Sequence, residues 1–548
     1  MSEKKEIQQK VNIIGSGLAG LSAAIELAKN GICSILVSLL PSERSQSVMA
    51  EGGINGALNT MGEADCPEYH FADTMRAGMN IADPAAVKGL TFNAPQILLE
   101  LKRLGVPFNL KSEEIQQRNF GGQKKKRTAY AKSSTGKVLM TALIDESRKY
   151  EAEGKITRYS SHEFIKLLID EQETCRGVVI RNKYSDERLI LYGPVILATG
   201  GLNGFFPEKT TGTVTNTGDA AAAVFSQGVL FSNLEMIQYH PTTIEIAGKR
   251  CLISEAARGE GGRLYIERNG RPWYFMEDLF PEYGNLMPRD VVSRQMYFVS
   301  KQYHSPVFLD MRHLTKEIWE KKLPDLRKEV IHYLGIDPAR EPVLVEPGIH
   351  YFMGGIDVDV HHQTNIRNLY ASGECCSQYH GANRLGGNST LAAIYGGKKA
   401  AETIIQNYEK VINENAVPEM KNENSLTDTD AASMEFVYYL RDILMGGLGI
   451  VREEKSMTAA LDKIEQLKKT NLFCGKKLKT TEKNRLLLAE AMIKSALFRK
   501  ESRGAHYRSD FPDLKSEFQG LVTSKVGING EIQNSLRKFE NENDEICI

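Results

Sequence analysis

A short, mostly apolar run that breaks into Gly-x-Gly-x-x-Gly and continues as a helical pattern leaves a chain few folds to choose from. Val11-Asn12-Ile13-Ile14 reads as a strand, Gly15-Ser16-Gly17-Leu18-Ala19-Gly20 as a tight turn, and Leu21 to Ala28 as a helix with apolar residues at helical spacing. Gly15, Gly17 and Gly20 permit that turn and let the backbone approach a pyrophosphate at the helix N-terminus. Ser34 to Ser38 reads as a second strand. The glycine pattern alone also occurs in chance loops; strand, turn, helix and strand in succession point to a dinucleotide site. Ser38 stands near the place where an acidic residue often binds the ribose, so that contact is missing.

A second anion-binding pattern lies far along the chain. His380-Gly381-Ala382-Asn383-Arg384-Leu385-Gly386-Gly387-Asn388-Ser389 sets an arginine and a histidine in a glycine-rich turn ahead of a small-residue helical stretch, Thr390 to Ala401. Backbone N–H groups, a helix N-terminus and the planar fork of Arg384 suit a carboxylate.

Bulk properties exclude several classes. Lys plus Arg and Asp plus Glu both number 69, so no charge bias points to nucleic acid or to an anionic membrane. No apolar stretch is long enough to span a bilayer, and Met1 to Lys10 lacks a secretory apolar core, so a cytoplasmic chain reaching a membrane only through partners is expected. None of the eight cysteines forms a Cys-x-x-Cys pair, a haem attachment motif or the spaced run of an iron–sulfur site, and no metal site is expected. Adjacent Cys375 and Cys376 read as buried thiols, because neighbouring cysteines have poor geometry for a disulfide. Lys124-Lys125-Lys126-Arg127 reads as a solvated loop that helps attract a dianion.

With 548 residues the chain has room for two or three domains. Residues 85–105 and 136–152 read as helical, and 156–197 alternate as strands up to Val195-Ile196-Leu197-Ala198-Thr199-Gly200-Gly201. From about 236 to 350 the texture changes to polar loops and short strands; strand, turn and helix return over 351–410. A polar linker, Asn413 to Thr429, precedes a helical module over 430–500, and the tail after about 525 reads as frayed.

Several long motifs, in order, resemble the flavoprotein subunits of fumarate reductase and succinate dehydrogenase. They are Ala50-Glu51-Gly52-Gly53-Ile54-Asn55, Phe120-Gly121-Gly122, Gln238-Tyr239-His240-Pro241-Thr242, Ser254-Glu255-Ala256-Ala257-Arg258-Gly259-Glu260-Gly261-Gly262, Pro288-Arg289-Asp290, and His350-Tyr351-Phe352-Met353-Gly354-Gly355, followed by the run at His380. The resemblance covers roughly residues 10–515. It implies an α/β fold: a Rossmann-like FAD-binding domain (residues 1–235 and 351–412) interrupted by an α+β capping domain (236–350), then a C-terminal helical domain (430–525).

The same resemblance implies FAD as cofactor and a four-carbon dicarboxylate, fumarate or succinate, as substrate. It places His240, Ser254, His350 and Arg384 on the substrate carboxylates, with Phe120 and Gly53 beside them. Arg289 becomes the proton donor, with Glu255 and Arg258 as its relay. An arginine is an unusual acid, since its unperturbed pKa exceeds 12, so it needs a strongly basic carbanion as acceptor and a route for reprotonation. Gly15, Gly17, Gly20, Ser38, Ser45, Gly52, Asp219, Glu374, Ser389 and Leu391 fall at FAD-contact positions. A helix N-terminus near Ser389 would stabilise negative charge on the reduced ring.

Two departures carry expectations of their own. Ser254 replaces the family's threonine, keeping the hydroxyl and losing the methyl. Arg44-Ser45-Gln46-Ser47 puts Gln46 where relatives carry a histidine that tethers the flavin; an amide cannot make that bond, so FAD is expected to be non-covalent and the balance to tilt toward fumarate reduction. With no cluster motif of its own, the chain is expected to take electrons from an iron–sulfur protein. L-Aspartate oxidase is the runner-up. Its family carries a glutamate where Phe120 stands, and an apolar ring offers an amine no counter-charge.

Overall fold

The computed structural model describes residues 10–132, 134–185, 187–408 and 431–539. Met1 to Gln9 and the linker Asn413 to Thr429 lie outside the described residues. Five parallel strands form the central sheet, in the order Leu369–Ala371, Val195–Leu197, Val11–Ile14, Ser34–Ser38 and Ile156–Ser160. Val11 and Ile13 are wholly buried, as a strand covered on both faces requires. The helices Leu18–Lys29 and Asn388–Gln406 pack on each other beside it. Two chain segments some 170 residues apart thus supply neighbouring strands, which is the interrupted nucleotide fold expected from the motif order.

Residues between these segments build a six-stranded sheet whose strands Ile237–Ile246 and Val343–Phe352 run antiparallel side by side. This region is more regular than its polar texture suggests. Each of those strands spans ten residues, and the fifteen-residue helix Arg289–Tyr303 packs against them. Its own core includes Leu264, Phe275, Val292, Met296 and Leu309, all fully buried.

Among the described residues three helices follow, Met434–Gly447, Glu454–Thr470 and Thr480–Phe498. The tail departs from expectation. Leu521–Val526 and Ile532–Arg537 pair as an antiparallel hairpin, and the first of them also pairs with Phe231–Ser232. The polar residues of the second strand alternate with the buried Ile532 side, so a strand with one wet face has the texture of a frayed end. The basic run also departs from its reading. Arg127 is fully buried between Asp65 and Asp73, each 2.9 Å away, while Lys126 pairs with Glu63. Cys375 and Cys376 are buried free thiols, as expected. Among the described residues no helix is long and apolar enough to cross a membrane, and no His, Cys, Asp or Glu cluster could hold a metal.

Candidate active site

A cavity of about 310 Å³ opens at the C-terminal ends of the parallel strands, lined there by Ile14, Val37 and Ala198. Its first wall is backbone. Gly15 has φ +118°, and a Cβ there would sit 2.0 Å from the carbonyl oxygen of Ala198. A Cβ on Gly20 would meet the Gly15 carbonyl oxygen at 1.8 Å. Gly15 and Gly20 therefore close the turn on itself, while Gly17 faces the cavity. Ser38 ends its strand on the same wall, and its buried Oγ has no partner among the described residues. Ser45, Gly52 and Ser389 also line the cavity, and Thr390 Oγ1 donates to the Gly53 carbonyl oxygen at 2.9 Å. Gln46 lies there with its Oε1 accepting the Thr213 N–H at 2.6 Å.

Asp219 opens the helix Asp219–Ser226 on the cavity wall, and Arg485 Nε donates to it at 2.6 Å. Arg485 also donates to the Gly204 and Thr217 carbonyl oxygens, so the C-terminal helices brace this wall. No local motif marks Arg485; only the 266-residue reach to Asp219 makes it relevant. Leu391, expected at a FAD-contact position, has its side chain fully buried in the core under the Asn388–Gln406 helix and outside the cavity lining, on the helix face opposite Ser389.

The far wall is made of side chains. Arg289, the first residue of its helix, donates to Glu255 Oε2 from Nε at 3.0 Å and from Nη2 at 2.5 Å. Its Nη1 donates to Gln238 Oε1 at 3.1 Å. Arg258 Nη2 reaches the other Glu255 oxygen at 3.3 Å, and its Nη1 donates to the Asn285 carbonyl oxygen. The three expected relay residues therefore form one hydrogen-bonded chain, with Arg258 behind Glu255 rather than on the wall. Gln238 Nε2 donates to the Arg384 carbonyl oxygen, fixing the glycine turn against Arg289.

Arg384 stacks 4.3 Å over the Tyr351 ring, and its buried Nε has no partner among the described residues. His240 and His350 meet edge to face with ring centroids 5.2 Å apart, and His240 Nε2 is also unpartnered among them. Ser254 and Gly53 line the same end. Phe120 is buried there; a Cβ on Gly52 or on Gly386 would run into its ring at 2.9 and 2.7 Å.

Burial and the nearby Arg289 hold both His240 and His350 well below the usual imidazole pKa, so both rings are uncharged. Burial, then Arg289, brings Arg384 down to about 10. Glu255 is pushed up by burial, but Arg289 and Arg258 outweigh that and leave it below the usual carboxylate range. Glu374 faces the same cavity and accepts the Phe352 N–H at 3.2 Å; burial raises it to about 7. The wall carries more guanidinium groups than ionised carboxylates, and Arg384 Nε and His240 Nε2 have no partners among the described residues.

Residues 10–390 match the family described as FAD binding domain, and residues 438–526 match the one described as fumarate reductase flavoprotein C-term. The succinate dehydrogenase flavoprotein subunit of Bacillus subtilis is 38% identical over 546 residues, covering 93% of this chain and 92% of that one. This chain belongs to the succinate dehydrogenase and fumarate reductase flavoprotein family. A second relative, the fumarate reductase flavoprotein subunit of Haemophilus influenzae, is 33% identical over 553 residues and covers 92% and 89%. Among solved structures, E. coli quinol fumarate reductase FrdA superposes with a TM-score of 0.85 at 28% identity, covering 98% and 97%. The FAD-binding character of the family fits the cradle: Gly15 and Gly20 let the turn close on itself, Gly17 presents bare backbone to the cavity, and Ser38 Oγ is a buried polar atom with no partner among the described residues.

Proposed function

We propose that this chain is the flavoprotein subunit of a fumarate reductase, interconverting fumarate and succinate. The observation that carries the reading is the Arg289–Glu255–Arg258 chain, set at one end of a cavity whose other end is the glycine turn. The two-part nucleotide domain, the cap over residues 236–350 and the helical module over 430–525 are the proposed division of labour.

The glycine turn, Ser38, Ser45, Gly52, Asp219, Glu374 and Ser389 would hold FAD, which would supply the hydride chemistry when bound. The rest falls to side chains. Three guanidinium groups, on Arg258, Arg289 and Arg384, face one Glu255 carboxylate, and the surplus matches a dianion. Arg384, with its free Nε, and the histidines hold the substrate carboxylates, helped by the Ser254 hydroxyl. Polarising one carboxylate draws electrons from the double bond, so that hydride arrives at one carbon and basicity develops at the next. Arg289 delivers a proton to that second carbon, and Glu255 returns one from the Arg258 side. Fumarate thereby takes up two electrons and two protons. Phe120 and Gly53 shape the apolar middle. A ring at Phe120 offers an ammonium group no counter-charge, and the relatives are named for succinate and fumarate; the L-aspartate oxidase alternative finds no support.

Gln46 is engaged with the Thr213 backbone and has no nucleophilic nitrogen, so FAD is held without a covalent bond. Flavin that stays with the denatured polypeptide would overturn that. Electrons come from an iron–sulfur partner, any membrane contact is made through partner subunits at the cytoplasmic face, and no nucleic acid is bound. The deciding test is fumarate reduction by the purified chain with a reduced viologen dye. Turnover of fumarate without turnover of L-aspartate supports the reading; peroxide release from L-aspartate reverses it.

A further inference from the structure

Resting on the fumarate reading, we infer that Thr211 is a positioning residue that sets the tautomer and orientation of His350, so that Nε2–H points at a substrate carboxylate. Thr211 Oγ1 lies 2.8 Å from His350 Nδ1. The residue is buried and outside the cavity wall, so it acts only through the imidazole.

The hydroxyl hydrogen has two acceptors within reach among the described residues, Nδ1 and the Ile349 carbonyl oxygen at 3.5 Å. That carbonyl already accepts the Thr211 N–H at 2.8 Å, and 3.5 Å is at the limit of a useful hydrogen bond. The hydroxyl therefore donates to Nδ1, and the single ring hydrogen of an uncharged imidazole resides on Nε2. Burial, Arg289 and Arg384 keep the ring in that uncharged form.

The supporting backbone is fixed on both sides of Thr211. Thr210 bridges to Ile349 as an isolated β-pair, and the Thr213 N–H is held by Gln46. His240 offers a contrast. Its Nδ1 has both the Thr242 N–H at 3.3 Å and the Thr242 carbonyl oxygen at 3.2 Å, so either tautomer is served. Of the two site histidines, His350 is the one whose donor is set in advance.

The test compares flavin-loaded wild type, T211V and T211S for FAD content, kcat and KM for fumarate in the reduced-viologen assay. T211V keeps the side-chain shape and removes the hydroxyl; its KM rises roughly tenfold with kcat within about threefold, the pattern of lost substrate binding. T211S restores both constants to near the wild-type values. An unchanged KM in T211V overturns the inference, as does a T211S as impaired as T211V, which would make the methyl the important group. Loss of FAD from T211V also overturns it, since the residue would then serve the cofactor loop. A wild-type chain inert toward fumarate is a different failure; it overturns the substrate reading and this inference with it.

Discussion

Two buried arginine clusters in this molecule are built alike and finished differently. In the first, Arg499 is fully buried and uses all five guanidinium hydrogens: Nε on Glu235, Nη1 on Glu501 and the Phe518 carbonyl oxygen, Nη2 on Asn233 and the Gly520 carbonyl oxygen. Arg503 shares Glu501 and adds the Met79 and Lys515 carbonyl oxygens. Two arginines face two carboxylates, so the charges balance although Glu235 Oε2 has no partner among the described residues, and the cluster bolts the segment after the last long helix to the strands beside Asn233. The second cluster, at the cavity, has more arginines than carboxylates and leaves Arg384 Nε and His240 Nε2 without partners among the described residues. A buried donor without an acceptor costs stability. A fold tolerates it where a ligand completes the set. Neither charge nor an unpartnered polar atom marks a site alone, since Glu235 Oε2 also has no partner among the described residues; surplus positive charge and an unpartnered guanidinium nitrogen together on a cavity wall do.

The largest expected effect breaks the incomplete cluster. Arg289→Gln removes the proposed proton donor and lowers fumarate turnover by about 10²–10⁴-fold, while FAD content stays at the wild-type level. Equal turnover in the dye assay would reduce Arg289 to a structural ion pair like Arg499. The complete cluster responds through stability instead. Arg499→Met strands Glu235 in the interior, while Glu501 keeps Arg503, and destabilises the protein by about 3–5 kcal/mol, read as a lowered Tm, with turnover per folded molecule unchanged. A loss below about 1 kcal/mol would contradict the contrast between the clusters. Arg384→Lys keeps the charge and loses the planar fork; fumarate KM rises about 10- to 100-fold, and FAD binding is unaffected. An unchanged KM would move the carboxylate grip onto the histidines.

The two ends of the cavity are not equally legible in the sequence. The cofactor wall is local and backbone-made. Gly15, Gly17 and Gly20 fall within six residues, and the steric reason for each is the same in any chain that makes this turn. The anion wall is assembled from segments beginning near 120, 238, 254, 289, 350 and 384, and no periodicity links them. Only resemblance in motif order joins Arg289, Glu255 and Arg258 ahead of the structure. Residues that act through a third group are invisible to both routes. Arg485 reaches Asp219 from the C-terminal helices, and Thr211 reaches His350 from a loop with no motif of its own. The hairpin of Leu521–Val526 and Ile532–Arg537 escapes for another reason: its second strand alternates soundly, but half of that strand's side chains face solvent and mimic a loose tail.

The smallest effect sharpens the comparison within the cavity itself, where two carboxylates are shifted in opposite directions. Glu255 is held low by two arginines, whereas Glu374 has a backbone N–H for company and is raised by burial to about 7. The unfolded chain ionises Glu374 near 4.5. Below that pH both states carry the proton and nothing is lost. Between about 4.5 and 7 the folded protein keeps a proton that the unfolded chain has released, so stability falls as pH rises; above 7 the loss is complete. Glu374→Gln removes this leg and keeps the size of the side chain. With FAD in excess, wild type should lose about 1–2 kcal/mol relative to the variant between about pH 5 and 7.5, measured as the difference of their Tm values across that range. Parallel curves would mean that Glu374 is ionised in the folded protein throughout. The surplus of positive charge at the anion wall would then extend its reach to this side of the cavity, and Glu374 would belong with Glu255.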